Sequence, residues 1–482
     1  MNMPVVPPSH MTGRRIIYTD ATEVTRDNVL SVLNAALITH KQNRADIQYL
    51  WNYYRGDQPI RNREKDVRPE ICNKIVENRA NEIVSFKTGY LMGEPLQYVS
   101  RGEGDTLSDE VNLLNDFVFA EEKASKDKEL ADWFHICGVG YRMILPDTMA
   151  GTEDDSPFEI YTLDPRNSFV VYTNALGHKA VLGVRYVTDN DGEVHYSCYT
   201  PTEYFEICND QIVSSTPHII GDIPIVEYPL NMARLGAFEI VLPLLDAINL
   251  TDSNRLDGVE QFIQALMVFY NVDISSDQFA ELRAQGALKV SDSDPQMKGR
   301  VEYLINNISQ GETQVLVDHM YETILTICGM PNRNGGYSTS DTGSAVIMRD
   351  GWSAAEARAK DSELMFKKSE RLALKIMLRI SKATRHMSLK VSNVEIRFTR
   401  RNYENILQKA QVLDLMLKNP KIHPQLAFAH SGLFVDSELA YTISNDYYEQ
   451  LVEENKEVKD DTEDNTGDGE GDREPTETRK QS

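Results

Sequence analysis

The chain has 482 residues and a mass of 54.7 kDa, room for about three domains at ~150 residues each, or for one large core with lobes. It sets 50 Lys and Arg against 74 Asp and Glu, a formal charge of −24, with 41% hydrophobic and 26% charged residues. That is an ordinary globular mix, which excludes a wholly disordered or collagen-like chain. The acidic balance (pI about 4.9) argues against a protein that grips nucleic acid by neutralising phosphates, but not against one that lets it pass without sticking. No apolar run reaches the roughly 18 residues of a membrane span; the longest, Phe262–Ile274, is broken by Gln264, Asn271 and Asp273. The N-terminus shows no secretory signal. Five dispersed cysteines (Cys72, Cys137, Cys198, Cys208, Cys328) without a C-x-x-C pair point to a reducing compartment rather than a disulfide framework or structural zinc.

Residues 1–25 are Pro-containing and unpatterned, and read as a mobile arm. Thr25 is the expected N-cap of a helix through NVLSVLNAALITHKQNRADIQYLWNYY, stopped by Gly56. A second helix is expected over NKIVENRANEIVSFKTGYLMG (73–93), with Ile75, Ala80, Ile83, Val84 and Phe86 as its apolar contacts. Two more follow, around Asp109–Ala120 and Ser125–Phe134. From about Gly138 to Tyr228 short β-rich runs (YRMILPD, FEIYTLD, SFVVYT, AVLGVRYV, EVHYSCYT, EYFEIC) predict one antiparallel sheet. A long helix is expected from about Phe238 to Leu266, with Pro243 in its first turn or at a kink. One face of it carries Leu245, Ile248, Leu256, Val259, Ile263 and Leu266, and beside it runs a polar stripe of Asp246, Asn249, Ser253, Asp257, Glu260 and Gln264. The stripe suits either an ordinary solvated face or the lining of a wet channel.

Residues 267–309 read as a small α/β insert: MVFYNVDI and RVEYLIN as strands, with the helix SSDQFAELRAQG between them. A helix over Glu312–Ile327 then stops at Cys328-Gly329-Met330-Pro331. The loop Asn332, Arg333, Asn334, Gly335, Gly336, Tyr337, Ser338, Thr339, Ser340, Asp341, Thr342, Gly343 is flexible by composition. An unbroken helix of about 39 residues, Ser344–Lys382, is expected next, about 58 Å long if straight, with Gly351 as its one weak point. VEIRFTRR reads as a strand returning to the earlier sheet, followed by helices in NILQKAQVLDLMLKN and DSELAYTISNDYYEQLVEEN. Residues 453–482 hold 12 acidic and 5 basic residues and read as a disordered acidic tail. The fold class expected is α+β, mostly α.

Signatures of chemistry are missing. There is no phosphate-binding G-x-x-x-x-G-K-[ST], no G-x-G-x-x-G after a strand, no H-E-x-x-H and no G-x-S-x-G. A calcium loop built on Asp189-Asn190-Asp191-Gly192 would need ligands at Val187 and Cys198, so a β-hairpin is the better reading. His135 and Cys137 in FHICGVGYR lack a third orienting group and read as part of a packed core strand. No catalytic residue, metal site or cofactor is expected.

The order of these parts resembles the portal proteins of tailed bacteriophages, in the branch typical of long-tailed phages. The resemblance rests on YYRGDQPI (53–60), NKIVENRANEIVSFKTGYLMGEPLQY (73–98), IPIVEYPLNMARLGAFEIVLPLLDAINLTDSNRLDGVEQF (223–262) and the helix, Gly-rich loop and long helix of 312–382, in collinear order over residues 26–445. It implies a portal-type fold and a dodecameric ring at one capsid vertex through which double-stranded DNA enters and leaves. By position, 26–235 with strand 394–400 would form the wing, 236–264 and 310–331 the stem helices, and 265–309 the clip. Residues 332–343 would be the tunnel loop, 344–383 the long helix below the crown, and 403–452 the crown. The implied partners are a terminase large subunit docked on the clip, a head–tail adaptor, and the major capsid and scaffolding proteins; no membrane is involved. The resemblance favours the channel reading of Asp246, Asn249, Ser253, Asp257 and Glu260. The tunnel loop, more polar than is usual in the family, would touch DNA through weak contacts. The competing expectations are another ring-forming viral structural protein, a scaffold or baseplate component, and a nucleic-acid-processing enzyme with an atypical site.

Overall fold

The computed structural model describes residues 13–101, 105–147, 155–263, 266–270, 277, 300–304, 310–332, 351–398, 406–434 and 437–463. The chain divides into two compact units, Met1–Arg401 and Asn402–Ser482. Among the described residues no helix is long and apolar enough to cross a membrane.

The first unit opens with a segment that is far from a free arm. Gly13 to Thr19 is docked, and strand β1 (Ile17–Thr19) pairs in parallel with β5 (Ser168–Thr173). Arg14 is buried against Glu239 at 2.6 Å, with both side chains 1% exposed. Asn43 exchanges hydrogen bonds with the Arg15 backbone in both directions. The part of the expected arm from residue 13 onward is therefore anchored; residues 1–12 lie outside the described residues. Helix α1 (Val29–Tyr54) starts after Asn28, not Thr25: the Asn28 side chain accepts from the Thr25 amide at 2.8 Å, which makes Thr25 the base of the entry turn.

Helix α2 spans Arg79–Leu91, six residues shorter at its start than the sequence pattern suggests. Residues 73–78 are not helical. After β2 (Gln97–Ser100), helices α3 (Asp105–Ala120) and α4 (Lys123–Cys137) follow. Gly138, at φ +82°, ends α4, because a Cβ there would lie 2.0 Å from the Arg234 carbonyl oxygen. His135 and Cys137 thus sit in the last turn of a helix, not on a strand. Both are core residues: burial first, then the nearby Lys87 charge, holds the His135 imidazole down at about 3, and burial pushes the Cys137 thiol up to about 12.

The β-rich stretch forms two sheets rather than one. Strands β3 (Val139–Pro146), β4 (Phe158–Leu163) and β10 (Ile225–Pro229) make a three-stranded antiparallel sheet in the order β10-β3-β4. The other sheet runs β1-β5-β6-β7-β8-β9, with β6 (Ala180–Thr188), β7 (Val194–Tyr199), β8 (Glu203–Cys208) and β9 (Gln211–Pro217). The β6–β7 connection is the expected hairpin, its turn held by Asp189 Oδ1 accepting from the Asp191 and Glu193 amides. Strand β13 (Val394–Arg397) pairs with β2 instead of joining either sheet.

Three apolar clusters hold this unit together. The first half of α1 covers the larger sheet through Val29, Leu33 and Phe169. The second half, with α2, α4, β3 and β10, encloses Leu50, Tyr53, Val84 and Phe238. The third packs α3, α4 and the small sheet around Phe366, Leu374 and Met377 of the long helix α7 (Trp352–Arg385). That helix has 34 residues, about 51 Å. Gly351, expected as a weak point inside it, is its N-cap, at φ +82°; residues 344–350 lie outside the described residues.

The segment 239–328 supplies a 3-10 turn (Glu239–Val241), helix α5 (Leu242–Ile263) with Pro243 in its first turn, the antiparallel strand pair β11 (Leu266–Tyr270) and β12 (Arg300–Leu304), and helix α6 (Gln310–Cys328). The helix expected over 275–286 falls almost wholly outside the described residues.

The second unit contains helices α8 (Ile406–Leu417), α9 (Pro424–Ser431) and α10 (Ser437–Glu463). Helix α9 escaped the sequence reading: it is only eight residues long, opened by His423 as N-cap and Pro424 in its first turn. Helix α10 runs eleven residues into the segment expected to be a disordered tail, since the Glu and Lys residues there are good helix formers; residues 464–482 lie outside the described residues.

Candidate functional site

Helices α5 and α6 run antiparallel. Cys328 Sγ, at the end of α6, contacts the Ala237 carbonyl before α5 at 3.6 Å, and Arg255, late in α5, donates to Gln314, early in α6, at 2.9 Å. Leu245 and Ile248 on α5 and Ile324 and Leu325 on α6 are buried in the core. Farther along α5 the same row emerges from it, with Leu256 38% and Val259 44% exposed; on α6 the buried row continues through Val317, and Val315 and Leu316, 68% and 51% exposed, lie on the side turned away from it.

The middle of the polar stripe on α5 is not exposed to solvent within the chain. Asn249 and Ser253 are fully buried and Asp257 is 3% exposed, covered by the chain's own residues 73–77. The Glu77 amide donates to Asn249 Oδ1 at 2.8 Å, the Ile75 amide to Ser253 Oγ at 3.0 Å, and the Asn73 amide to Asp257 Oδ1 at 2.8 Å. The match follows from two repeats. Side chains four apart on a helix rise about 6.0 Å, and amides two apart on an extended chain advance about 6.6 Å. A helix stripe at i, i+4, i+8 can therefore accept from alternate amides of an antiparallel extended segment. These amides would lack a ladder partner otherwise, and a buried unpaired N–H costs about 1–3 kcal/mol. This side-chain rail is why 73–78 leaves the helical pattern.

The rail is tied down at both ends. Asn249 Nδ2 donates to Gln58 Oε1, and Gln58 in turn donates to the Tyr53 carbonyl and to Asn78 Oδ1. At the other end Lys65 and Arg63 each lie 3.0 Å from Asp257 Oδ2. Burial raises the Asp257 carboxyl, but the Asn73 amide, Lys65, the Asn73 side chain and Arg63 outweigh it and hold it below the usual carboxylate range. Asp246 accepts from the Tyr53 hydroxyl at 2.9 Å and is raised by burial in spite of that bond. Glu260 is half-buried. Of the five residues expected to line a channel, Asn249, Ser253 and Asp257 are occupied within the chain and Asp246 is bonded to α1. Of the expected tunnel loop only Asn332 is described, half-buried; Arg333 to Gly343 lie outside the described residues.

A second constellation, which the sequence did not signal, fixes the long helix. Glu370, midway along α7 and fully buried, accepts from the Tyr98 hydroxyl at 2.6 Å, the Tyr228 hydroxyl at 2.7 Å and Arg142 Nη1 at 3.2 Å, and lies 3.0 Å from Lys123 Nζ. Asp127 closes the square, ion-paired to both Lys123 and Arg142. Two cations and two anions thus balance in the core, joining α7 to α4, β2, β3 and β10. Burial alone would raise the Glu370 carboxyl; Lys123, Arg142 and the two phenol donors outweigh it and keep it ionised below the usual range. Six residues drawn from five elements leave no local pattern to read.

Among the described residues no group of three or more His, Cys, Asp or Glu side chains is arranged to hold a metal ion. A family model described as phage portal protein, SPP1 Gp6-like, matches residues 36–467. No curated protein matches the chain. Among solved structures, the chain is similar to one in the neck of an empty GTA particle computed with C6 symmetry, at 10% identity and a TM-score of 0.44, covering 74% of this chain and 90% of that one.

Proposed function

The chain belongs to the SPP1 Gp6-like family of phage portal proteins, and from that premise we propose that it assembles into a closed ring, of twelve copies, at one capsid vertex and conducts double-stranded DNA during packaging and ejection. In this reading α5 and α6 are the stem, the β11–β12 pair belongs to the clip that docks the terminase motor and the head–tail adaptor, and the second unit is the crown. Major capsid and scaffolding proteins surround the ring, and the chain does no chemistry of its own.

The observation that carries the reading is the apolar surface left uncovered on the stem pair. Leu256 and Val259 continue the α5 row that Leu245 and Ile248 bury in the core, while Val315 and Leu316 stand exposed on the side of α6 turned away from Ile324 and Leu325, so this half of the stem pair asks for a neighbour of its own. Lateral contact between copies would supply that neighbour while each subunit's rail stays filled by its own residues 73–77. The channel face of α5 then lies elsewhere than on Asn249, Ser253 and Asp257. A net charge of −24 per copy keeps the wall repulsive to the duplex within about 8 Å at physiological salt, so DNA slides instead of sticking.

The test is Leu256→Glu combined with Val315→Glu. Both side chains are exposed, so thermal unfolding of the monomer should stay within a few degrees of wild type, while mass photometry shows loss of the ring species. Rings of unchanged mass and abundance in the double variant would contradict a stem-mediated assembly.

A further inference from the structure

Two exposed helix faces carry opposite charge and matching apolar residues. Helix α7 holds nine Lys and Arg against four Asp and Glu, in a chain that is strongly acidic overall. Its outward face aligns Lys368, Arg371, Lys375, Arg379 and Lys382 at steps of three and four residues, within about 80° of arc and over about 21 Å. Asp222 pairs with Lys375 and Arg379. Lys368, Arg371 and Lys382 are exposed and have no ion-pair partner among the described residues. Beside them stand Leu364 and Leu372, 68% and 52% exposed. Phosphates would gain nothing from those leucines; a protein surface would.

Helix α3 has the complementary face. Its charged residues, Asp105, Asp109, Glu110 and Asp116, are all acidic. Asp109 and Asp116 are exposed without an ion-pair partner among the described residues, on the same side as Leu113 and Phe119. Phe119 is 85% exposed, the most exposed aromatic side chain among the described residues.

We propose that α3 of one copy docks on α7 of the next, with Asp109 and Asp116 against Lys368 and Arg371 and with Phe119 seated beside Leu372. Two different faces used once per copy make a head-to-tail contact, the type that closes into a ring. Charge pairs at such a rim set partner choice and register more than affinity, which suits an assembly that must close without mispairing. The inference rests on the ring reading above and adds a contact surface outside the stem.

Charge exchange tests it. Asp109→Lys with Asp116→Lys, and separately Lys368→Glu with Arg371→Glu, should each raise the subunit concentration needed for rings by at least about tenfold in mass photometry. All four substitutions together should restore assembly. Lys41→Glu with Lys128→Glu, an exposed pair on other elements, should leave it unchanged, and circular dichroism checks that each variant folds. Rings forming normally in both two-site variants would overturn the contact while leaving the ring reading intact; a wild-type chain that stays monomeric would overturn both. Failure of the combined variant to recover, with both parents folded but impaired, would also overturn the pairing. So would a Lys368/Arg371 variant that assembles normally but loses binding to a DNA duplex, which would assign the α7 face to nucleic acid.

Discussion

Replacing Glu370 by Ala should destabilise the first unit by about 3–5 kcal/mol, read as a fall in the urea midpoint at unchanged slope. The change removes one corner of a buried square, leaving Lys123 and Arg142 with Asp127 as their only anion and two phenols, Tyr98 and Tyr228, without their acceptor. Glu370→Gln keeps the shape and an acceptor oxygen, so it should fall between wild type and Ala. The pH dependence has a definite sign. Glu370 is held below its unfolded value, so its contribution is complete above about 4.5 and is lost as pH falls through the depressed folded value. Two histidines act earlier. Burial holds His40 at about 4 and His135 at about 3, from an ordinary value of 6.5. The unfolded chain therefore takes up their protons first, and stability should begin to fall as pH drops below about 6.5. In the Glu370→Ala variant the histidine part of that decline should persist while the component below 4.5 shrinks. An Ala variant as stable as wild type would mean that the square is not a structural tie.

Asn249→Ala together with Ser253→Ala should cost about 3–5 kcal/mol, more than two exposed polar residues on a helix would, because the amides of Glu77 and Ile75 lose their acceptors inside the fold. Asn249→Ala also frees Gln58 Oε1, so that half of the pair should carry the larger share. Amide hydrogen exchange gives a reading that general loss of stability would not. The Ile75 and Glu77 amides should exchange at least about tenfold faster under conditions where the core of α5 stays protected. Uniform loosening of the unit, with those two amides no faster than their surroundings, would show that the rail is not what holds the extended segment.

These two constellations also mark where sequence reasoning stops. The helices that bury one regular face were legible: α1, the body of α5 and the last two-thirds of α6 follow the spacing of Leu, Ile and Val. The hairpin at Asp189–Gly192 was legible from turn chemistry. What failed was the assignment of partners. The stripe Asn249, Ser253, Asp257 has the period of a solvated or channel-facing helix side, and nothing local distinguishes either from a rail for an extended strand. The one available hint was that each member is short and can accept a hydrogen bond, while the long charged side chains common on open faces are missing there. Residues 73–78 misled for the mirror-image reason: Ile75 and Val76 suit a helix, and the amides that prefer α5 give no sign in sequence. Strands β1 and β2, only three and four residues long, are fixed by distant partners at β5 and β13. The square around Glu370 joins five elements, and a lone Glu in a Leu-rich helix looks like an ordinary exposed charge.

The central claim is tested most directly by imaging the wild-type, full-length chain by electron microscopy and weighing the same sample by mass photometry. The account predicts a closed ring near twelve times 54.7 kDa, with an axial hole wide enough for duplex DNA and with residues 73–77 seated on α5 within each subunit. A solid disc, an open filament, or a small oligomer that persists at high concentration and in the presence of scaffolding protein would contradict it.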